Sequence, residues 1–472
     1  MTTTRGRPQG SILVGLLWCL TLLAVIVIGV LYTSRLDLKV TKNLGDTIQA
    51  RYLALAGIEK AKALLYQDAG DRKRSRNNHT TSMADNPDQF KDIQFGRGVF
   101  RVFHPGDPDR GEELRYGVRD EEALLNVNEA TDSELQMLPG MTPDLIAALI
   151  DFQDEDETAR PGGAEMDYYL SLSPPYLPRN APFETVRELL GVRGFTEEVL
   201  LGEDRNANGL LDDSEDDGPI SQPNDNQDHR LDLGLARYFT VHSSVQNVNA
   251  AGETRVDVQS ADESTLTTIS GITADIAKAL VAYRSQQRLG SLDDLLDVTR
   301  VNPQAPAPQP PASAAPGPGP GQRPTPPPPP PPPRPSASRG SGEKLISQDL
   351  LLQIADDITL QSETELPGLI NINTADAAVL HCLPGVEREL AQAIVNYRQS
   401  SGSFPNVAWL LRVPGMTRQI FKQVAPKVTA RSETYRILSE GVITSSGVRQ
   451  RVEVVVRYRS GTFDTLSYRE DL

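Results

Sequence analysis

The segment Ile12–Tyr32 reads ILVGLLWCLTLLAVIVIGVLY, and no charge falls between Ser11 and Ser34. A helix of that length spans the roughly 30 Å of a bilayer's hydrocarbon core. The run is longer than the apolar region of a secretory signal and no A-x-A pattern follows it, so it reads as a retained membrane anchor. Arg5 and Arg7 precede it and favour a cytoplasmic N-terminus, while Arg35, Lys39 and Lys42 on the far flank divide the positive-inside count. No breaker ends the run. Leu36, Val40, Leu44, Ile48, Leu55 and Ile58 recur at helical spacings, which predicts one helix over about 12–67, on the order of 80 Å long. Its first half belongs in lipid and its second half carries a stripe that packs on a soluble domain.

The remainder is organised around a repeat. NVNEATDSELQMLPGMTPDLIAALIDFQD, DVQSADESTLTTISGITADIAKALVAYRS and NINTADAAVLHCLPGVERELAQAIVNYRQ align on Gly140, Gly271 and Gly385. Five residues before each glycine stands Leu135, Leu266 or Leu380; five after, Leu145, Ile276 or Leu390; twelve after, Phe152, Tyr283 or Tyr397; ten before, Ala130, Ala261 or Ala375. Each copy predicts a helix, a tight glycine turn and a second helix, with Asn, Thr, Ser or Asp supplying the N-cap. VPGM at 413–416 adds a further hairpin to the third copy, and VRGF around Gly194 can add one to the first.

Helix-hairpin-helix turns can offer backbone N–H groups to phosphate, but the composition argues against a nucleic-acid partner. Lys and Arg number 47 against 63 Asp and Glu, a net charge of −16, without the basic footprint of a general nucleic-acid binder. The hairpins therefore read as packing units. Only the third copy, with Arg388, Arg398, Arg412, Arg418 and Lys422, keeps nucleic acid conceivable.

Short alternating segments flank the helices. GVFRVFHP near 100 and ELRYGVR near 116 come before them; TYRILSEGVI, RQRVEVVVRYRS and FDTLSYRE follow. The expected fold class is α+β: a long N-terminal transmembrane and amphipathic helix on a small antiparallel sheet, with the all-α repeats inserted between its second and third strands. Residues 302–342, dominated by proline, read as a disordered linker between repeats two and three, and about 71–92 as a polar loop. The expected divisions are a leader at 1–10, the helix at 11–70, first strands at 93–120, a helical insertion with the first repeat at 121–235, the second repeat at 236–301, the linker at 302–342, the third repeat at 343–430 and the last strands at 431–472.

The stretch DRNANGLLDDSE, Asp204 to Glu215, fits the calcium-loop pattern D-x-N-x-N-G-x5-E. Asp204, Asn206 and Asn208 stand at positions 1, 3 and 5, Gly209 at the sharp turn, Leu210 at the carbonyl position, Asp212 at 9 and Glu215 at the bidentate position. Hard oxygen donors without His or Cys select Ca²⁺ over zinc. Gly218 and Pro219 stop an exiting helix, so a structural clamp is expected rather than an opening sensor. A second acidic group, Asp151, Asp154, Asp156, Glu165 and Asp167, is a further candidate for an ion, with a solvated loop as its equal alternative. Nothing points to catalysis. The sequence has no HExxH, G-x-S-x-G or P-loop, and His381 and Cys382, adjacent on a helix, point about 100° apart.

The basic leader ending at Gly10, the apolar helix from Ser11 that turns amphipathic, and the large body resemble a type IV prepilin, and specifically the type II secretion system protein K family of minor pseudopilins. The stretches PGGAEMDYYL, PPYLPRNAPF and TLSYRE share in the resemblance. It implies cleavage by prepilin peptidase after Gly10, leaving Ser11 as the mature N-terminus, and calcium bound in the helical insert. Mature position five is Gly15 here, where pilins carry Glu. A carboxylate in lipid is costly unless paired, and a tip subunit has no neighbour above to pair with. The implied partners are the minor pseudopilins I and J, the major pseudopilin, the outer-membrane secretin and secreted substrates. The implied place is the bacterial inner membrane, with the bulk of the chain periplasmic. The alternatives left open are a membrane-anchored DNA receptor of the competence type and a calcium-dependent adhesin.

Overall fold

The computed structural model describes residues 10–75, 81–106, 114–220, 225–300 and 343–470. Residues 1–9, which hold most of the expected leader, and the proline-rich residues 301–342 lie outside them. One helix, α1, runs unbroken over Gly10–Ser75. It is longer than the sequence pattern predicts, because its last turns are held by charge pairs: Arg72 reaches Asp68 at 3.3 Å, and its Nη1 donates to the Ser432 carbonyl at 3.5 Å. The region 71–92 is accordingly not a plain loop. It holds the end of α1 and the short helices Thr81–Ala84 and Pro87–Phe90. Every apolar side chain from Ile12 to Tyr32 is exposed, and α1 is long and apolar enough, by length and composition, to cross a membrane.

Beyond about Gly45, α1 lies on an antiparallel sheet. Its strands are β1 (Ile93–Phe95), β2 (Gly98–Pro105), β3 (Leu114–Arg115), β4 (Arg119–Asp120), β5 (Thr434–Ile443), β6 (Arg449–Arg459) and β7 (Thr462–Arg469). The order is β1-β2-β5-β6-β7, with β3 paired to β2 and β4 to β5. ELRYGVR thus makes two two-residue strands rather than one, because Gly117 is pressed against the backbone of Met83 and Ala84. The helix can approach closely because Ala50, Ala54, Gly57 and Ala61 line its sheet-facing side, the three alanines having no exposure. A Cβ on Gly57 would collide with the Ser439 hydroxyl, and one on Gly441 with the Ala50 carbonyl. Ile58 and Leu65 then pack with Ile437, Val452, Val454 and Val456 in a core of their own.

Between β4 and β5 lies a second, larger core made by three copies of one module. Each opens with a two-residue strand and closes with another that pairs to it in parallel: Leu125–Asn126 with Phe239–Thr240, Val256–Asp257 with Ile358–Thr359, Ile370–Asn371 with Val428–Thr429. Each contains two hairpins, and a side-chain amide near the opening strand fixes the start of the second. Asn128 is bonded to Phe183, Gln259 to Leu289 and Asn373 to Phe404, each through both backbone groups. Leu135, Leu266 and Leu380 occupy equivalent fully buried positions, as do Leu189, Leu295 and Leu410, and then Leu200, Leu351 and Phe421.

This equivalence corrects the reading of 302–342 as a linker between repeats two and three. In the first and third modules the second hairpin turns through Arg193–Gly194 and Pro414–Gly415, with Gly φ of +87° and +89°. In the second module the matching buried residues are Val298 and Ile346, with all of 299–345 between them. The ends are pinned together: Leu345 N donates to Val298 O and Arg300 N to Glu343 O, both at 3.1 Å. Ser347 then caps the following helix as Thr196 and Thr417 do in theirs. The proline-rich stretch is therefore an insertion into one hairpin turn.

The two cores meet at Asp120, Glu121 and Glu122, at most 6% exposed. Glu121 takes Arg436 of β5 at 2.8 Å and the hydroxyl of Thr240. Glu122 accepts from the backbone of Ser244 and of Thr434, each at 3.1 Å. Asp120 accepts from Asn371 at 3.0 Å and from the hydroxyls of Thr374 and Ser432. Burial would raise Glu121, but Arg436 overrides it and holds the carboxyl at about 2. Burial and then the Asp120 charge push Glu122 well above the ordinary carboxyl range.

Replacing 299–345 by Pro-Gly should leave a folded module, since closing so long a loop costs little more than closing a short one per doubling of length. Unchanged circular dichroism and a melting temperature within about 3 °C are expected; loss of cooperative unfolding would show that the insertion is part of the core. Glu122 binds its proton more tightly folded than unfolded, so stability should fall as pH rises above the ordinary carboxyl range. Glu122→Gln should flatten that fall, measured as melting temperature between pH 5 and 9.

Candidate metal centres

The loop Asp204–Glu215 follows the helix Glu197–Leu200 of the first module and is docked on the back of the sheet. Its side-chain oxygens turn inward. Asp204 accepts from the Asn208 and Gly209 amides at 2.9 and 2.8 Å. Asn206 accepts from Asn208 N at 3.0 Å and Asn208 from Leu210 N at 2.6 Å. Glu215 accepts from Arg205 N and Asp212 N at 3.0 and 3.1 Å. Gly209 takes φ +72°, the left-handed turn the pattern requires. Asp204, Asn208 and Glu215 are 6%, 1% and 4% exposed. Burial, with little positive charge to offset it, raises Asp204 to about 6 and Glu215 to about 7. Inward oxygen donors and under-compensated buried carboxylates fit a hard cation.

Two arginines that sequence reasoning missed hold this loop. Arg451 of β6 meets Asp212 through both terminal nitrogens at 3.1 Å and gives its Nε to Glu440 at 3.0 Å. Arg469 of β7 donates to the Asn206 carbonyl at 2.9 Å. Burial would raise Asp212, and Arg451 brings it below the ordinary value instead. Both arginines stand on strands more than 200 residues away, so no local pattern could have connected them to the loop.

The second acidic group is drawn together more tightly. Asp154, Asp156 and Glu165 place ligand oxygens within 4.8 Å of one another, a cluster able to hold a metal ion. Asp151 has no exposure and Glu165 only 7%. Asp151 Oδ1, Asp154 Oδ1 and both Glu165 oxygens are buried without a hydrogen-bond donor. Burial, then Asp151, Asp154 and Asp156, lift Glu165 to about 7. The PGG turn makes the pocket: Gly162 has φ +85°, and a Cβ on Gly163 would strike the Asp151 carboxylate. Asp167 is exposed and stands outside the convergent trio.

The turn glycines Gly140, Gly194, Gly271, Gly385 and Gly415 are exposed at the module surface. A side chain on Gly194 or Gly271 would press on Leu145 or Leu350, and Gly385 and Gly415 face Ile420 and Leu390, so these four glycines serve hairpin-on-hairpin packing, while Gly140 faces Leu235. The basic residues of the third copy are largely engaged within the chain. Arg418 is held by Asp293 and Asp297 at 2.9 and 3.0 Å, Lys422 by Asp294 at 2.5 Å, Arg412 by Asp349 at 2.5 Å, and Arg398 by the Ile372 carbonyl at 2.9 Å. Arg388 is exposed. His381 Nδ1 donates to the Val386 carbonyl at 2.7 Å, while the Cys382 thiol donates to the Ala378 carbonyl and burial pushes it up to about 12. They form no nucleophile–base pair.

Protein-family comparison places a helix-hairpin-helix motif on residues 252–306 and 368–429, the second and third modules. The model for the first domain of type II secretion system protein K matches residues 133–202, the first module with its acidic cluster. Type II secretion system protein K from Klebsiella pneumoniae is 28% identical over 209 residues, 40% of this chain and 59% of that protein. The chain is protein K-like. Endonuclease/exonuclease/phosphatase family domain-containing protein 1 from Rattus norvegicus is 24% identical over 199 residues, and the chain spans only 32% of its length. ComE operon protein 1 from Bacillus subtilis (strain 168) is 30% identical over 73 residues, 36% of its length. The crystal structure of the GspK-GspI-GspJ complex of the enterotoxigenic Escherichia coli Type 2 Secretion System aligns with 93% of the protein K-like chain, at 13% identity and a TM-score of 0.40.

Proposed function

We propose that this protein K-like chain is a minor pseudopilin of the type II secretion system. It caps the pseudopilus tip with minor pseudopilins I and J, primes assembly on the major pseudopilin, and serves export of folded proteins past the outer-membrane secretin. The carrying observation is the continuity of α1, whose exposed apolar half runs without a break into a half packed on the sheet. A helix of this kind can anchor the chain in the inner membrane by a single pass and then, freed after Gly10 by prepilin peptidase, bundle with others in an assembly. Three helical modules inserted before β5 add bulk that a subunit stacked above would have to clear. That agrees with a terminal position and with Gly15 in place of a lipid-buried carboxylate. The protein works as a scaffold and not as an enzyme.

Calcium belongs to this reading as a structural ion. Asp204, Asn206, Asn208, Leu210, Asp212 and Glu215 would hold one ion between the first module and the sheet, and Asp151, Asp154, Asp156 and Glu165 would hold another beside the PGG turn. In each place a divalent cation would neutralise carboxylates that burial leaves uncompensated. The competence-type DNA receptor remains the second reading, favoured by the helix-hairpin-helix matches and opposed by the internal ion pairs of Arg412, Arg418 and Lys422.

Intact mass of the N-terminal peptide, with and without prepilin peptidase, tests the assignment. A chain beginning at Ser11 only when the peptidase is present is expected. A chain still carrying Met1 would remove it from the pilin pathway, and salt-dependent DNA binding would then support the receptor. Calorimetric titration with Ca²⁺ should show binding that Glu215→Gln weakens by about 100-fold, since the bidentate ligand is lost. Unaltered binding in Glu215→Gln would move the ion to the Glu165 cluster, where Glu165→Gln should abolish it.

A further inference from the structure

A cavity of about 270 Å³ lies between the back of the sheet and the first module. Protein interiors seldom leave gaps much larger than a water molecule, and this volume is several times a water's share of about 30 Å³. The pseudopilin reading uses only its Asp204 loop wall. Its walls are apolar: Phe103, Leu438 and Val455 come from the sheet, and Leu124, Leu201 and Phe239 from the module. All six are nearly or wholly buried.

The polar part of the lining is dominated by arginine, in a chain whose net charge is −16. Arg436 is taken up by Glu121 and Glu453. Three others make no carboxylate ion pair among the described residues. Arg119 donates to the Arg237 carbonyl at 2.5 Å. Arg187 donates to the Arg205 carbonyl at 2.6 Å. Arg237 lies over the Tyr238 ring at 4.9 Å. Four carboxylates face them: Glu453 is engaged by Arg436 and Arg469, Asp120 by Asn371, Thr374 and Ser432, and Asp204 of the loop and Asp376, whose charge acts on Arg119, complete the acidic lining. The two histidines in the lining are held neutral, His104 by burial and then Arg119, His242 by burial with Arg436 and Arg457 adding to it. Six arginines against four carboxylates leave the polar side of the lining net positive, with the apolar walls across the rest.

A chamber with these two properties recognises an amphiphile of one kind: an apolar body that fills the space between Leu438 and Leu201, ending in an anionic head that guanidinium groups can meet in forked geometry. We propose that the cavity between the sheet and the first module binds a medium-chain alkyl carboxylate, with Arg119 and Arg237 at its head group and Leu438 and Val455 along its chain. The site shares a wall with the Asp204 loop, and its occupant would add contacts between the two cores beside the Glu121–Arg436 pair. The assignment does not depend on the secretion reading.

The test is a binding titration on the full chain in phosphatidylcholine nanodiscs, with empty nanodiscs as the blank. Decanoate carrying ¹³C at the carboxyl is followed by NMR, and decanol and decylammonium serve as controls of equal chain length. Decanoate should bind saturably, and each control at least about tenfold more weakly, because only the carboxylate satisfies the guanidinium groups. Arg237→Gln, at a half-buried position, should weaken decanoate by about tenfold without changing decanol. Val455→Leu should weaken decanoate by filling the chamber, and Leu438→Trp should abolish binding if it folds. Equal binding of decanoate and decanol, no saturable decanoate binding, or full decanoate affinity in Arg237→Gln would each overturn the proposal.

Discussion

The structure turns on three consecutive buried acids. Asp120, Glu121 and Glu122 stand where the first part of the sheet gives way to the modules, and each fixes a different piece of chain arriving from far away. Burying one carboxylate without a partner is costly, and burying three in a row is possible only if every one is satisfied. Here one is neutralised by Arg436, one accepts two backbone amides beside a pushed-up pKa, and one is met by an amide and two hydroxyls. The sheet and the modular core have separate apolar interiors, so this polar joint fixes how they meet.

The modules solve a different problem. A lone helical hairpin of this length has too little apolar area to close a core. Pairing two hairpins, and closing each pair with a parallel two-residue ladder, puts the turn glycine of one against the leucine of the other and yields a unit that can be repeated. Insertions then cost little wherever they leave from a turn. The first module carries the acidic cluster and the Asp204 loop in this way, and the second carries the proline-rich stretch. Charge pairs such as Arg418 with Asp293 join the second module to the third. Arg412, Arg418 and Lys422 of the third module are thereby paired within the chain.

What could be read from sequence follows from period and spacing. The apolar N-terminal helix, its amphipathic continuation, the three long C-terminal strands and the first hairpin of every module are local patterns. So was the Asp204–Glu215 loop, whose donor positions are fixed within twelve residues. The second hairpin of the middle module was hidden, because its signature depends on Val298 and Ile346 standing together and 47 residues intervene. The acidic joint was equally hidden. Only the arrival of Arg436, Ser244 and Asn371 makes DEE a buried node.

The sequence by itself determined the long apolar N-terminal helix, the α+β class and the triplication, because each depends on residues near one another in the chain. The tertiary structure alone decided which acidic cluster gathers its oxygens within 4.8 Å, which arginines brace the Asp204 loop, where the proline-rich insertion begins and ends, and the arginine-lined chamber behind the sheet. The arginine contacts among them span 100 to more than 300 residues. Such contacts are set by how two cores pack around buried charge, which no local pattern encodes.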